Sequence, residues 1–272
     1  MTPSQPSRSL LTNGAIVPPK EKVATLQHGK PIMSAALEHS VKAAVIQYKD
    51  KNKWREWGMA HYRGQGSCIL LYGPPGVGKT IIARYLCKLI GYGLRELDIS
   101  TFGSNQPGEN ERRLEEFFLE CERDGKALFM DECDSILWDR AKAGADSMWM
   151  VGVINKLLSL IGKFKHPLFL ATNRRQELDP ALNRRLIAEI EVPRPEYAER
   201  MRLWQQKIPS KFPFQPTPVQ LQELAAYGLS GAEIENCVIK AAQEAIISKR
   251  NPQYDDLCNV ARTEAAKHTS SN

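Results

Sequence analysis

At 272 residues, 42% of them hydrophobic and 25% charged, the chain has room for a main domain and a smaller one, and its composition is that of an ordinary soluble globular protein. The first residues have no signal-peptide core and no run is apolar enough to span a membrane, so no membrane partner is expected. Net charge is +6, which permits nucleic-acid contact without requiring it; six scattered cysteines with no C-x-x-C pair argue against a zinc site or disulfide framework and for a reducing, cytoplasmic setting.

Residues 1–22, rich in proline and serine, read as a disordered tail. A helix is expected from Pro31, with Leu37, Val41, Ala44, Val45 and Tyr48 on one face. Lys49-Asp50-Lys51-Asn52-Lys53 reads as a polar link, with Trp54, Trp57 and Met59 packing beside the core.

The apolar run Ser67–Tyr72 then leads into Gly73-Pro74-Pro75-Gly76-Val77-Gly78-Lys79-Thr80, which fits G-x-x-x-x-G-K-[ST]. After it, Ile81, Ile82, Tyr85, Leu86, Leu89 and Ile90 recur at helical spacing. A strand, a glycine loop and a helix start form an anion site: backbone N–H groups converge and the helix dipole adds positive charge. In such a cradle Lys79 reaches the β- and γ-phosphates and the Thr80 hydroxyl ligates Mg²⁺, so the chain is expected to bind a nucleoside triphosphate.

Leu94–Asp98 reads as a second strand, and Ser100–Pro107 as a loop before a helix that buries Leu114, Phe117, Phe118 and Cys121. Ala127–Met130 is a short apolar strand ending in Asp131-Glu132-Cys133-Asp134. An amphipathic helix carrying Met150, Val153, Ile154, Leu157, Leu158 and Ile161 precedes another apolar run, Pro167–Ala171, which ends at Thr172-Asn173. Continuously apolar strands separated by helices imply a parallel sheet covered on both faces, whose ligands bind beyond the carboxyl ends of the strands. The glycine loop, Asp131-Glu132 and Thr172-Asn173 all fall at those ends.

There Asp131 is the residue expected to complete Mg²⁺ coordination, and Glu132 the base that orients and deprotonates a water attacking the γ-phosphate. Asn173 brings a neutral amide to the same edge, although asparagine after a strand is also a common turn residue. Arg184 and Arg185 precede the last strand, and nothing in that segment separates a solvated basic turn from a functional pair. After Ile187–Val192, Pro193 and Pro195 mark a boundary. Helices are expected near 195–207, 218–227, 231–248 and 253–267, and Ser230-Gly231-Ala232-Glu233 has capping-box spacing.

In order and spacing these motifs resemble the AAA family of ATPases, in the clade of protein-remodelling and unfolding machines, from about Ser67 to Ala261. Gly73–Thr80 is similar to its Walker A, with Ile81 following in the cradle, and Ala127–Asp134 resembles its Walker B. Ala171-Thr172-Asn173-Arg174 resembles the sensor-1 segment, and Leu178–Leu182 continues that region. Ile190–Pro195 resembles its closing strand, and Ser230-Gly231-Ala232-Glu233-Ile234 its lid motif, where Gly231 and Ala232 contact base and ribose. Arg184 and Arg185 fall where the family carries arginine fingers, Arg185 being preferred as the inserted one.

The resemblance implies an α/β nucleotide-binding domain over 23–193, with a parallel-sheet P-loop fold, followed by an all-helical lid over 194–268. It also implies ATP and Mg²⁺ bound between the subunits of a homo-oligomeric ring, usually a hexamer, that remodels a protein substrate or works through an adaptor. Two departures stand out. Gln106 occupies the place of the family's pore-loop aromatic, and Asn183-Arg184-Arg185-Leu186 is shorter than the usual R-P-G-R-F segment. The short stretch before the core leaves substrate selection to the tail, the core surface or another protein. A DNA-associated ATPase of the helicase-loader or transposition type is the competing reading, supported by the charge and Lys49–Lys53, but with no aromatic-interleaved basic stripe. A scaffold that assembles on nucleotide and hydrolyses it slowly is a third.

Overall fold

A computed structural model of the chain describes residues 29–59, 68–98, 108–144 and 148–269. The expected tail over 1–22, Ser67 and Gln106 lie outside them. Five strands, β1 (Cys68–Tyr72), β2 (Leu94–Glu96), β3 (Ala127–Met130), β4 (Leu168–Thr172) and β5 (Leu186–Glu191), form one parallel sheet in the order β2-β3-β4-β1-β5. β2 stops two residues short of the expected Asp98.

The three central strands, β3, β4 and β1, are apolar at almost every position because each face meets helices. On one face Cys68, Leu70, Leu128, Met130, Leu168 and Leu170 pack on α5 (Glu109–Arg123) and α6 (Met148–Lys163). On the other, Ile69, Leu71, Phe129, Phe169 and Ala171 pack on α1 (Ala35–Ala44) and α4 (Lys79–Ile90). The edge strand β5 alternates exposed and covered positions, as its sequence predicts.

Ser34 caps α1, its hydroxyl accepting from the Leu37 N–H at 3.1 Å. The expected polar link is instead helical. α2 (Ile46–Lys49) and α3 (Lys51–Glu56) meet at Asp50, whose carboxylate caps α3 through the Lys53 N–H. A short polar side chain between lysines thus starts a helix where charge density alone suggests a solvated link. Trp57 does not pack beside the core and is 71% exposed. α3 ends at Glu56, so Trp57 leaves the face that half-buries Trp54.

Beyond β5 the chain is helical: α7 (Tyr197–Lys207), α8 (Pro218–Ala226), α9 (Gly231–Ile247) and α10 (Tyr254–Thr269). They enclose their own core of Trp204, Leu224, Ile234, Cys237, Ala241 and Leu257. Trp204 buries its ring there without stranding its one polar group, since Nε1 donates to the Leu224 carbonyl at 3.1 Å. The architecture is therefore a parallel α/β sheet followed by a helical bundle. Among the described residues no helix is long and apolar enough to cross a membrane.

Candidate nucleotide site

β1, β3 and β4 are adjacent, so their carboxyl ends deliver three loops to one place. The loop after β1 folds tightly over the sheet. Gly73 has φ +148°, and a Cβ there would lie 2.2 Å from the Val192 carbonyl oxygen, so no other residue fits. Lys79 opens α4 and is only 7% exposed. Its ammonium donates to the carbonyls of Gly73 and Pro74, both at 2.9 Å, and to Asn173 Oδ1 at 2.5 Å. Burial lowers its pKa below the ordinary lysine value, while Asp131, Asp134 and Glu132 pull the other way.

Thr80 Oγ1 donates to Asp131 Oδ2 at 2.7 Å, while Asp131 Oδ1 accepts from the Glu132 N–H at 3.0 Å. A hydroxyl beside a carboxylate is a hard-oxygen donor set suited to Mg²⁺, a cation that takes few protein ligands and shares the phosphates. No cluster of three or more His, Cys, Asp or Glu among the described residues offers an all-protein metal site. Glu132 adopts the left-handed region at φ 47°, unusual for a residue with a side chain. The turn exposes its carboxylate to the cavity, with no hydrogen-bond partner among the described residues. Cys133 next to it is no competing nucleophile. Burial, with Asp134 and Cys68 nearby, pushes its thiol well above the ordinary range.

A second tie joins the loops after β3 and β4. The Thr172 hydroxyl donates to Asp134 Oδ1 at 2.5 Å and accepts from the Arg174 N–H at 2.8 Å. Asn173 lies between these two bonded residues, so its backbone is fixed on both sides.

The helical bundle closes the cavity from above. The Ala232 N–H donates to the Gly76 carbonyl at 3.1 Å. Gly76 has φ +75°, and a Cβ would come within 2.8 Å of Ser230 Oγ and 2.9 Å of the Ala232 methyl. The S-x-x-E spacing forms the capping box it predicts: the Ser230 N–H donates to Glu233 Oε2 at 2.7 Å and the Glu233 N–H to Ser230 Oγ at 3.4 Å. Arg194 Nη1 also donates to Glu233, at 3.1 Å, tying the segment after β5 to the start of α9.

These parts enclose a cavity of about 370 Å³ that is lined by Pro75–Ile82, Asp131, Glu132, Asn173, Gly231 and Ala232. Gly73 and Pro74 reach it only through the carbonyls that hold Lys79. Two further stretches line it: Gly29–Ser34, and one face of α7 formed by Glu199, Leu203, Gln206 and Lys207. Neither was predicted. The first carries no motif, and the second shows only the i, i+4, i+7, i+8 spacing that any buried helix face has.

A family model described as "ATPase family associated with various cellular activities (AAA)" matches residues 69–194. The chain carries an AAA ATPase domain. It is 32% identical over 213 residues to "26S proteasome subunit RPT4" of Saccharomyces cerevisiae, covering 72% of this chain and 47% of that protein. It is 31% identical over 233 residues to a "Vesicle-fusing ATPase" of Arabidopsis thaliana, covering 78% of this chain and 30% of the relative. The chain thus spans about half or less of the length of these two curated relatives. A crystal structure of the FIGL-1 AAA domain in complex with ADP superposes with a TM-score of 0.70 at 22% identity, over 85% of this chain and 82% of that one, a likeness of fold.

The two arginines of the AAA domain's last loop differ. Arg185 is half-buried, Nε donating to the Leu158 carbonyl at 2.7 Å and Nη1 to the Ala181 carbonyl at 2.6 Å. Arg184 is exposed, and no hydrogen bond or ion pair holds it among the described residues. Neither lines the cavity of its own chain. The same loop is braced by Asp179, which caps it through the Ala181 N–H at 2.8 Å and accepts from Arg140 Nε at 2.6 Å. Arg140 also donates to Asn155 on α6.

Proposed function

We propose that the chain is a Mg²⁺-dependent ATPase that works as a ring of identical subunits, a hexamer as is usual in the family, and uses the cycle to remodel a protein or protein complex. The reading divides the chain into a nucleotide-binding domain over 23–193 and a lid over 194–268. The observation that carries it is the meeting of Lys79, Thr80, Asp131, Glu132 and Asn173 in one cavity, with the Glu132 carboxylate unclaimed.

Lys79 neutralises the β- and γ-phosphates, giving up Asn173 as it turns to them. Mg²⁺ would be held by Thr80 and Asp131 and supplies charge stabilisation to the phosphates. Glu132 accepts the proton of the attacking water, and the Asn173 amide holds that water in line with the γ-phosphate. Arg184 serves the neighbouring subunit's ATP, because its guanidinium is free to leave its own chain. Arg185 braces α6 and the loop that presents it. Gly231 and Ala232 carry the state of the phosphate loop into the lid through the bond to Gly76. Relatives named for the proteasome and for vesicle fusion support a protein substrate over DNA. A cytoplasmic setting belongs to the same reading, supported by six free cysteines.

Mixing two inactive variants tests the shared site. Glu132→Gln keeps the finger and Arg184→Ala keeps the cradle, so each alone should hydrolyse ATP at least a hundredfold more slowly than the parent. An equal mixture should regain a substantial part of the rate, since some interfaces pair an intact cradle with an intact finger. A mixture as inactive as its components, under conditions where both assemble, would defeat the assignment in trans.

A further inference from the structure

Among the described residues no hydrogen bond or ion pair holds Arg184, so its direction is set by the segment that bears it. That segment, Pro180–Arg185, is a short helical turn between β4 and β5. Arg185 and Asp179 anchor it, through the Leu158 carbonyl on α6 and the Arg140 guanidinium. A third tie comes from Arg175, which opens the turn Arg175–Glu177 just after Asn173. Its Nη2 donates to Asn183 Oδ1 at 2.8 Å, on the residue before Arg184. The same guanidinium grips Glu189 on β5 with two parallel bonds, Nε to Oε2 at 2.9 Å and Nη2 to Oε1 at 2.8 Å.

Most exposed ion pairs contribute little, because two long side chains must be ordered against water. This one differs in geometry. The fork fixes the plane of the guanidinium against a strand of the sheet, only 26% of the Arg175 side chain is exposed, and the remaining donor is thereby aimed at Asn183. The core does not depend on it: both hydrophobic clusters of the sheet close without Arg175, and Glu189 and Asn183 are exposed to water. What the tie fixes is the Asn183 side chain, and through it the backbone from which Arg184 leaves the surface. Nor does Arg175 line the cavity of its own chain.

We propose that Arg175 is a positioning residue for the neighbouring subunit's reaction: it holds Asn183 so that Arg184 meets the ATP bound next door, an inference that rests on the ring reading above. Arg175 itself touches no phosphate. A stabilising group displaced by about 1 Å can cost about a hundredfold in rate, so a bond one residue away from the finger matters to turnover. The role has a direction. Loss of Arg175 harms the adjacent subunit's site and leaves its own cradle able to work whenever another subunit supplies an intact finger. Within that cradle Asn173 keeps its separate support, the Thr172 hydroxyl bonded to Asp134 and to the Arg174 N–H.

The experiment is steady-state ATP hydrolysis by the full chain, for Arg175→Ala alone and mixed with Glu132→Gln. Alone, Arg175→Ala should lose about ten- to a hundredfold in kcat, with KM for ATP within about twofold of the parent. Adding an equal amount of the inactive Glu132→Gln should then raise the rate per Arg175→Ala subunit several-fold, because about half of its cradles receive an intact finger. A brace acting only within its own subunit gives no such rise. That result overturns the proposal when Glu132→Gln and Arg184→Ala do complement each other. If that pair fails as well, the shared site itself falls, and Arg175 loses its target with it. A raised KM at unchanged kcat also overturns the proposal, since the residue would then serve ATP binding. Should Arg175→Ala not fold, Asn183→Ala decides: it keeps the Arg175–Glu189 pair and removes only the contact beside Arg184. It should lose about five- to tenfold in kcat and be rescued in the same way, and the parent rate in Asn183→Ala overturns the proposal.

Discussion

The two ends of the cavity are built differently. At the phosphate end the groups a ligand would displace already hold one another: Lys79 is bonded to Asn173, and Thr80 to Asp131. Away from it the walls are Gly29–Ser34 and the α7 face of Glu199, Leu203, Gln206 and Lys207, a mixture of apolar and polar side chains that follows no motif. Internal pairing keeps a dense cluster of charge stable when empty, and each pair can be exchanged for a phosphate or a cation at little net cost. Binding and turnover should therefore be separable by mutation.

The largest effect should come from Glu132, whose carboxylate has no hydrogen-bond partner among the described residues. Glu132→Gln should lower kcat by about 10²–10⁴-fold and leave ATP affinity within about twofold, by steady-state kinetics and titration. A parallel loss of affinity would mean that the residue holds the ligand and does not move its proton. Next comes Asp134, which does not line the cavity and acts through the Thr172 hydroxyl on the Asn173 backbone. Asp134→Asn should cost about ten- to a hundredfold in kcat with KM little changed, a positioning effect. Thr172→Val should reproduce it, and the double variant should be no worse than either single one.

The difference between the two ends also explains what was legible in the chain. Gly73–Thr80, Asp131-Glu132 and Thr172-Asn173 each follow a buried strand, so a local motif and a parallel sheet suffice to bring them together. The four helices after Pro195 could be read from spacing and proline breaks, and Ser230–Glu233 from its cap. The rest of the cavity could not. It joins Gly29–Ser34 to α7 and α9, segments far apart in sequence whose only shared property is facing the same space. Glu199 falls within the helix expected near 195–207, and no spacing shows that its helix face lines a cavity. The Arg184–Arg185 pair was visible as a pair, but the choice between them depends on the Leu158 and Ala181 carbonyls, which only the fold brings to Arg185. Asp50 was hidden among lysines, so α3 was missed.

Where the ends meet, Gly76 connects them through its bond from Ala232. Gly76→Ala strains a residue at φ +75° by about 1–3 kcal/mol and drives a methyl into Ser230 and Ala232, so the lid must shift. Nucleotide affinity should fall about tenfold for ATP and GTP alike. An affinity equal to the parent's would show that the contact between the lid and the phosphate loop does not shape the site.

The smallest effect on the cavity should come from Asp179, which serves as a control for stability without ligand contact. Burial by itself would raise its pKa, but the Ala181 N–H and the Arg140 guanidinium outweigh that and hold it below the ordinary aspartate value. A carboxylate whose folded pKa is depressed adds stability above its unfolded value of about 3.9, and that contribution disappears as pH falls through the folded value. Asp179→Asn should therefore lower unfolding free energy by about 2 kcal/mol at pH 7, with the difference from the parent shrinking below about pH 4. ATP affinity should be unchanged, because Asp179 braces the arginine loop and lines no part of the cavity. Under the role proposed for Arg184 at a neighbouring subunit, turnover should fall only as far as that arginine loses its bearing. If affinity fell along with stability, the brace and the cavity would be one cooperative unit, and the separation of ligand binding from subunit contact would fail at its foundation.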